Sequence, residues 1–322
     1  MKILNILFLL SIPALAQNWG LENIHAKQAR SLMSTNCKDS TALIGIIDTG
    51  IDIKHKDLKT SIWQNPNPIK MNFLGDTDIT GWDYTRDTTM NKDLHGHGTH
   101  ITGIISGKNG VCPEIKVLGA SYYRETDNSL ANIKHANEAL EYLINKGVKV
   151  INYSGGGGEF NQTEYDLIEK AREKGILFVM AAGNNKQNSD KFMYFPSAYH
   201  FDNIISVAAI NQADGFSAFS NWGIESVDIA APGNSILSTM PSNMYDGYAY
   251  MSGTSQATAF VTGVAALLWT ENPKLTYQQV RDYIFKGSRK LSSLKNKVKY
   301  ESTVDALESM RMLKNEDSKK TR

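Results

Sequence analysis

The sequence predicts an α/β fold: a three-layer, doubly wound, mostly parallel sheet with helices on both faces. Three observations predict it. Short apolar runs alternate along the chain with longer segments of helical period. Several helical segments end at a glycine, the residue that most readily closes a helix. The strand-like runs are apolar almost without interruption, as strands covered on both faces are.

The elements follow in order. Residues 42–47 read as the first strand, and a helix starts at His97 and runs to Gly107. Residues 115–120 are a strand, and 129–146 an amphipathic helix closed by Gly147. A strand over 148–153 and a helix over 162–174, closed by Gly175, come next. Strands over 176–182 and 204–209 precede helices over 255–269 and 276–286, the last stopped by Gly287. Residues 65–93 are polar, contain Pro66 and Pro68, and read as a long surface loop. There is no internal repeat and no composition break that would mark a second domain.

Both ends read differently from the middle. Lys2, the apolar run 3–12 and Ala14-Leu15-Ala16 form the pattern of a secretory signal cut before Gln17. The run is too short for a bilayer span, which takes about 20 apolar residues. From Asn315 the chain is charged and is expected to fray. The expected organisation is therefore a signal over 1–16, one domain over 17–314 and a tail over 315–322, in an exported protein left in the periplasm or secreted. Lys plus Arg number 34 and Asp plus Glu 33, a net charge of +1, which speaks against nucleic acid or an anionic membrane as partner. There are two cysteines, Cys37 and Cys112, before two successive strands. Export permits a disulfide between them, with two separate thiols as the alternative.

Three segments carry chemistry. Gly253-Thr254-Ser255 puts a serine on a glycine-built turn at the head of a small-residue helix. Asp48 ends the first strand, where sites form in open α/β sheets. His97 stands at a glycine-marked helix start, in His97-Gly98-Thr99-His100. Singly, each is most often structural. Jointly, in the order Asp, His, Ser, they resemble the subtilase (subtilisin-like) serine protease family, peptidase S8, and further matching segments cover nearly all of the chain after residue 16. The resemblance implies an endopeptidase acting on extended polypeptide segments, with no cofactor. Ser255 is then the nucleophile, His97 the general base and Asp48 the residue that orients it. Asn184, in Ala181-Ala182-Gly183-Asn184, corresponds to the oxyanion-hole donor. Ser154, Gly155 and Gly156 correspond to the edge on which a substrate backbone pairs. Tyr122, Tyr123 and Arg124 fall where distant substrate residues bind, and Tyr194 near the base of the primary pocket.

The chain also departs from the family. Gln256 replaces the usual Met after the serine, which removes an oxidisable thioether, and Ala259 replaces a Pro. Residues 104–112 are too short for the family's calcium loop, and Asp57, which matches one calcium ligand, reads as a surface charge; no metal is expected. Only 31 residues, 17–47, separate the signal from Asp48, too few for the family's chaperone propeptide. A separate inhibitor or chaperone is one expectation, unaided folding the other. Two other functions compete. Asp93, His95, His97 and His100 are dense enough to suggest a metallohydrolase. A catalytically silent subtilase that only binds peptides is the second.

Overall fold

The computed structural model describes residues 18–90 and 92–320; the expected signal segment lies outside them. Twelve strands are described: β1 (Ile44–Asp48), β2 (Gly81–Asp83), β3 (Thr88–Thr89), β4 (Val117–Ser121), β5 (Val150–Tyr153), β6 (Leu177–Ala181), β7 (Ile204–Ile210), β8 (Ile229–Pro232), β9 (Ile236–Thr239), β10 (Tyr248–Met251), β11 (Arg289–Lys290) and β12 (Ser302–Thr303). The helices are α1 (Trp19–Asn23), α2 (Ala26–Ser31), α3 (His97–Ser106), α4 (Ser129–Asn145), α5 (Gln162–Glu173), α6 (Thr254–Glu271), α7 (Tyr277–Lys286) and α8 (Ala306–Lys320).

Ten strands form one sheet in the order β11-β12-β8-β7-β6-β5-β1-β4-β2-β3. All neighbours from β12 to β2 run parallel, and only the two outermost strands, β11 and β3, run antiparallel. β9 and β10 make a separate antiparallel pair. The expected three-layer, doubly wound sheet is therefore present, and alternation along each strand builds it. Ile44 and Ile46 join the core under α3, α6 and α7, whereas Ile47 joins the core under α4 and α5. Val150 and Ile151 divide in the same way. Side chains cap several helices: Asn128 accepts from the Ala131 N–H, Asn161 from the Glu164 N–H, and Thr276 with Gln279 forms a capping box.

Two expectations need correction. Residues 65–93 are not only a surface loop. Gly81–Asp83 extends the sheet beside β4, and Trp82 and Asp78 are buried. Asp78 is tolerated inside because it accepts from the Ile69 N–H and Tyr142 Oη and pairs with Lys146. Polarity satisfied by partners distant in the chain hid this edge from the periodicity. Nor does the chain lose regular structure at Asn315, where fraying was expected: α8 runs to Lys320, and Tyr283 Oη donates to Glu316 at 2.8 Å.

Cys37 and Cys112 form a disulfide, with their Cα atoms 5.4 Å apart. It closes a loop across a sequence separation of 75 residues, so chain entropy assigns it about 4 kcal/mol. Reduction is expected to lower the urea midpoint markedly; an unchanged midpoint after verified reduction would overturn this.

Candidate active site

The β1 strand delivers Asp48 at its carboxyl end, and α3 begins with His97. His97 Nδ1 donates to Asp48 Oδ1 at 2.7 Å, and the Thr49 N–H donates to the same oxygen at 2.8 Å. Close approach of the two elements requires glycine at 98. A Cβ there would lie 2.1 Å from the Gly50 carbonyl oxygen and 3.1 Å from Asp48 Cβ. Helix α3 lacks a capping side chain at Gly96, and Asp93 serves instead. Its carboxylate accepts from the Gly96 N–H, the Thr99 N–H and Thr99 Oγ1, and also from Thr49 Oγ1 at 3.0 Å. Thr49 Oγ1 in turn accepts from the Gly98 N–H. Asp93 and Thr49 thus lock the strand end to the helix start, which sets where the imidazole stands. Neither role was legible in the sequence, because both depend on side chains that meet only after folding.

Ser255 is the second residue of α6, which packs against α3. Gly253 precedes the helix in extended backbone and offers no side-chain cap, so the Ser255 N–H has no acceptor among the described residues. Asn184 stands three residues beyond β6. Its Oδ1 accepts from the Thr254 N–H at 2.9 Å and from Thr254 Oγ1 at 3.0 Å. A backbone N–H can only donate, so the amide oxygen must face it and Nδ2 is turned away as a spare donor. Thr254, which sequence reasoning passed over, therefore fixes the orientation of Asn184.

The strand edge is tied to the same helix. Thr262 Oγ1 on α6 donates to Asn152 Oδ1, and Asn152 Nδ2 donates to Ser154 Oγ, at 2.9 and 2.8 Å. Beyond Tyr153 the β5 ladder stops, and Gly155 and Gly156 make no backbone hydrogen bond among the described residues. Ser255 Oγ donates to the Ser154 carbonyl at 3.0 Å rather than to His97. All the expected site residues, Asp48, His97, Ser255, Asn184, Ser154, Gly155 and Gly156, come from the β1, β5 and β6 ends and from the heads of α3 and α6.

The model of the subtilase family matches residues 39–303. The chain belongs to the subtilase family. It is 33% identical over 79% of its length to Thermitase of Thermoactinomyces vulgaris, covering 82% of that protein. It is 31% identical over 91% of its length to Subtilisin-like protease 1 of Plasmodium berghei (strain Anka), of whose length it spans only 53%. The fold is shared with a crystal structure of a lanthipeptide protease, at a TM-score of 0.75 and 24% identity, over 92% of this chain and 94% of the other.

Within this subtilase the histidines go separate ways. His100 is buried, and its Nε2 lies 3.1 Å from the carbonyls of both Ile236 and Ala249. Two carbonyl partners require Nε2–H, which leaves Nδ1 as an acceptor for Gln256 Nε2 at 3.5 Å. Burial holds His100 neutral, down to about 3. Gln256, where the family has Met, therefore satisfies a buried imidazole nitrogen. His95 is half-buried, 3.5 Å from the Glu125 carboxylate, and burial followed by the field of His97 depresses its pKa. Asp57 accepts from Tyr248 Oη. Among the described residues no group of three or more His, Cys, Asp or Glu could hold a metal ion, so the metallohydrolase reading finds no centre. For His97, burial pulls the pKa down, but Asp48 and then Asp93 outweigh it, and the net direction is upward.

A cavity of about 460 Å³ opens beside Ser255 and Asn184 and is lined by Ser154, Gly155 and Gly156. The Tyr194 ring lies between two glycines: a Cβ at Gly156 would come 2.6 Å from Tyr194 Cε1, and one at Gly183 3.0 Å from Cδ2. Tyr122 lines the same cavity. Tyr123 is not among the lining residues, and Arg124 turns away to Thr85 and Asp127.

Proposed function

We propose that this chain is an exported serine endopeptidase that hydrolyses peptide bonds through an acyl-enzyme intermediate. The Asp48–His97 hydrogen bond, at the head of a helix packed on the one that carries Ser255, is the observation that carries the reading. Bound to Asp48 through Nδ1, His97 keeps Nε2 as the atom that takes the Ser255 proton and later gives it to the leaving amine. The spare Nδ2 of Asn184 and the Ser255 N–H receive the oxyanion. Gly155 and Gly156, whose backbone groups lack partners, pair with an extended substrate as an added strand. No cofactor or metal takes part in these steps. The disulfide and the sequence pattern of residues 1–16 support export. Among the described residues no helix is long and apolar enough to cross a membrane.

One observation favours the second reading, a silent subtilase that binds peptides: Ser255 Oγ is engaged by the Ser154 carbonyl. On the catalytic reading, rotation about χ1 frees it, since such bonds tighten only when substrate is bound. Labelling with a fluorophosphonate probe separates the two. Wild-type protein is expected to label, and Ser255→Ala and His97→Ala are not; folded wild-type protein that fails to label supports the silent reading.

Asn184→Ala is expected to lower kcat by about 10²-fold or more with KM little changed, the usual consequence of losing one oxyanion donor. Steady-state kinetics on a peptide amide check this, and an unaltered kcat would remove Asn184 from the mechanism.

A further inference from the structure

The cavity beside Ser255 is also lined by a group that peptide-bond hydrolysis does not use. Glu164, on the first turn of α5, lines it and is buried. Its Oε1 accepts from Tyr153 Oη at 3.0 Å, and its Oε2 lies 3.1 Å from Tyr199 Oη. Glu164 and the exposed Glu159 at the rim are the only charged side chains among the lining residues; no Lys, Arg or His faces the space. The rings of Tyr122, Tyr153 and Tyr194 form its walls. A pocket lined by a buried carboxyl and three tyrosine rings, with no cation of its own, is complementary to a long cationic side chain.

The hydrogen bonds around Glu164 fit two protonation states equally well. Tyr199 Oη accepts from the Asn161 N–H at 3.0 Å and lies 3.1 Å from both the Asn161 carbonyl and Glu164 Oε2. It has one proton for these two acceptors. When that proton goes to Asn161, a neutral Glu164 satisfies the contact by donating to Tyr199. When Glu164 is ionised, the hydroxyl proton turns to Oε2. Burial pushes the Glu164 carboxyl up to about 7, with the two tyrosine bonds pulling the other way. The titratable groups around it are Tyr153 from β5, Tyr199 from the segment before β7, and Tyr122 and Tyr194, which line the same cavity. Burial raises all four phenols, so none of them titrates near neutral pH.

We propose that this cavity takes a lysine or arginine side chain of the polypeptide substrate, and that Glu164 is the residue that selects it. The inference rests on the reading of the site as a polypeptide-binding cleft. Entry of the cation displaces the proton of Glu164 to solvent and leaves an ion pair held by the Tyr153 and Tyr199 hydroxyls.

Equilibrium binding to Ser255→Ala tests this without turnover, so its outcome is separate from that of probe labelling. Fluorescent peptides that differ only in lysine against norleucine are scanned through each position. Expected is one position at which lysine binds at least tenfold more tightly at pH 8. That preference should fall about tenfold between pH 8 and pH 6, because a carboxyl near 7 goes from mostly ionised to mostly neutral. The norleucine peptide should not respond to pH. Glu164→Gln, which keeps the shape and both tyrosine contacts, should abolish the preference. If that variant does not fold, the pH dependence of the unaltered cavity still decides. No lysine preference at any position, or one indifferent both to pH and to Glu164→Gln, overturns the proposal.

Discussion

Replacing Ser255 or His97 by alanine is expected to lower kcat by about 10⁶-fold, and the double variant by about the same factor. On the proposed mechanism the nucleophile and its base act as one unit, so removing either forfeits nearly the whole of their contribution. The Ser255 replacement should leave the fold undisturbed, whereas His97→Ala removes the partner of buried Asp48 and should also cost stability. Ser255 Oγ makes a single hydrogen bond, to the Ser154 carbonyl, and α6 is held by an extensive apolar core. Alanine is also the residue best tolerated inside a helix. Residual activity above the uncatalysed rate should persist, since Asn184 and the head of α6 remain. The measurement is kcat on a peptide amide, normalised by active-site titration of wild type, with circular dichroism to establish folding. A Ser255→Ala enzyme within tenfold of wild type would end the serine mechanism.

Asp48→Asn is expected to lower kcat by about 10⁴-fold and to move the acid limb of kcat/KM to lower pH. The sign follows from the environment of His97. Burial depresses its pKa, while Asp48 and Asp93 raise it further than burial lowers it. The base works only when neutral, so wild-type activity falls as pH drops through a midpoint above the ordinary histidine value of about 6.5. With Asp48 neutralised, burial dominates and the midpoint drops. The loss of rate has the same origin, because the imidazolium formed on attack loses its counter-charge. The pair also contributes to folding stability. A folded pKa raised above the unfolded one makes that contribution full below the unfolded pKa and lost as pH rises through the folded one. An unmoved acid limb in Asp48→Asn would mean that Asp48 does not set the charge on His97.

The fold was largely legible because buried parallel strands leave no choice of pattern. Residues 42–47 and 176–182 are apolar throughout and 148–153 is broken only at Lys149 and Asn152, and a sheet covered on both faces accommodates three such runs separated by glycine-closed helices. The strand beside β4 was not legible. Gly81–Asp83 is short, and the polarity around it is satisfied by contacts as distant as that between Asp78 and Lys146.

The sequence by itself singled out Asp48, His97 and Ser255 as the proposed triad, and the segment that carries Asn184, because their joint order and their glycine or small-residue flanks resemble the family's motifs. Tertiary structure alone decided their arrangement. Asp93 and Thr49 join β1 to α3, Thr254 fixes the face that Asn184 presents, and Gln256 completes His100. It alone also brought Glu164 into the lining of the cavity that Ser255 lines. Each of these is a hydrogen bond or a burial between residues far apart in the chain, and no local pattern encodes a partner that only the packed sheet and helices bring into reach.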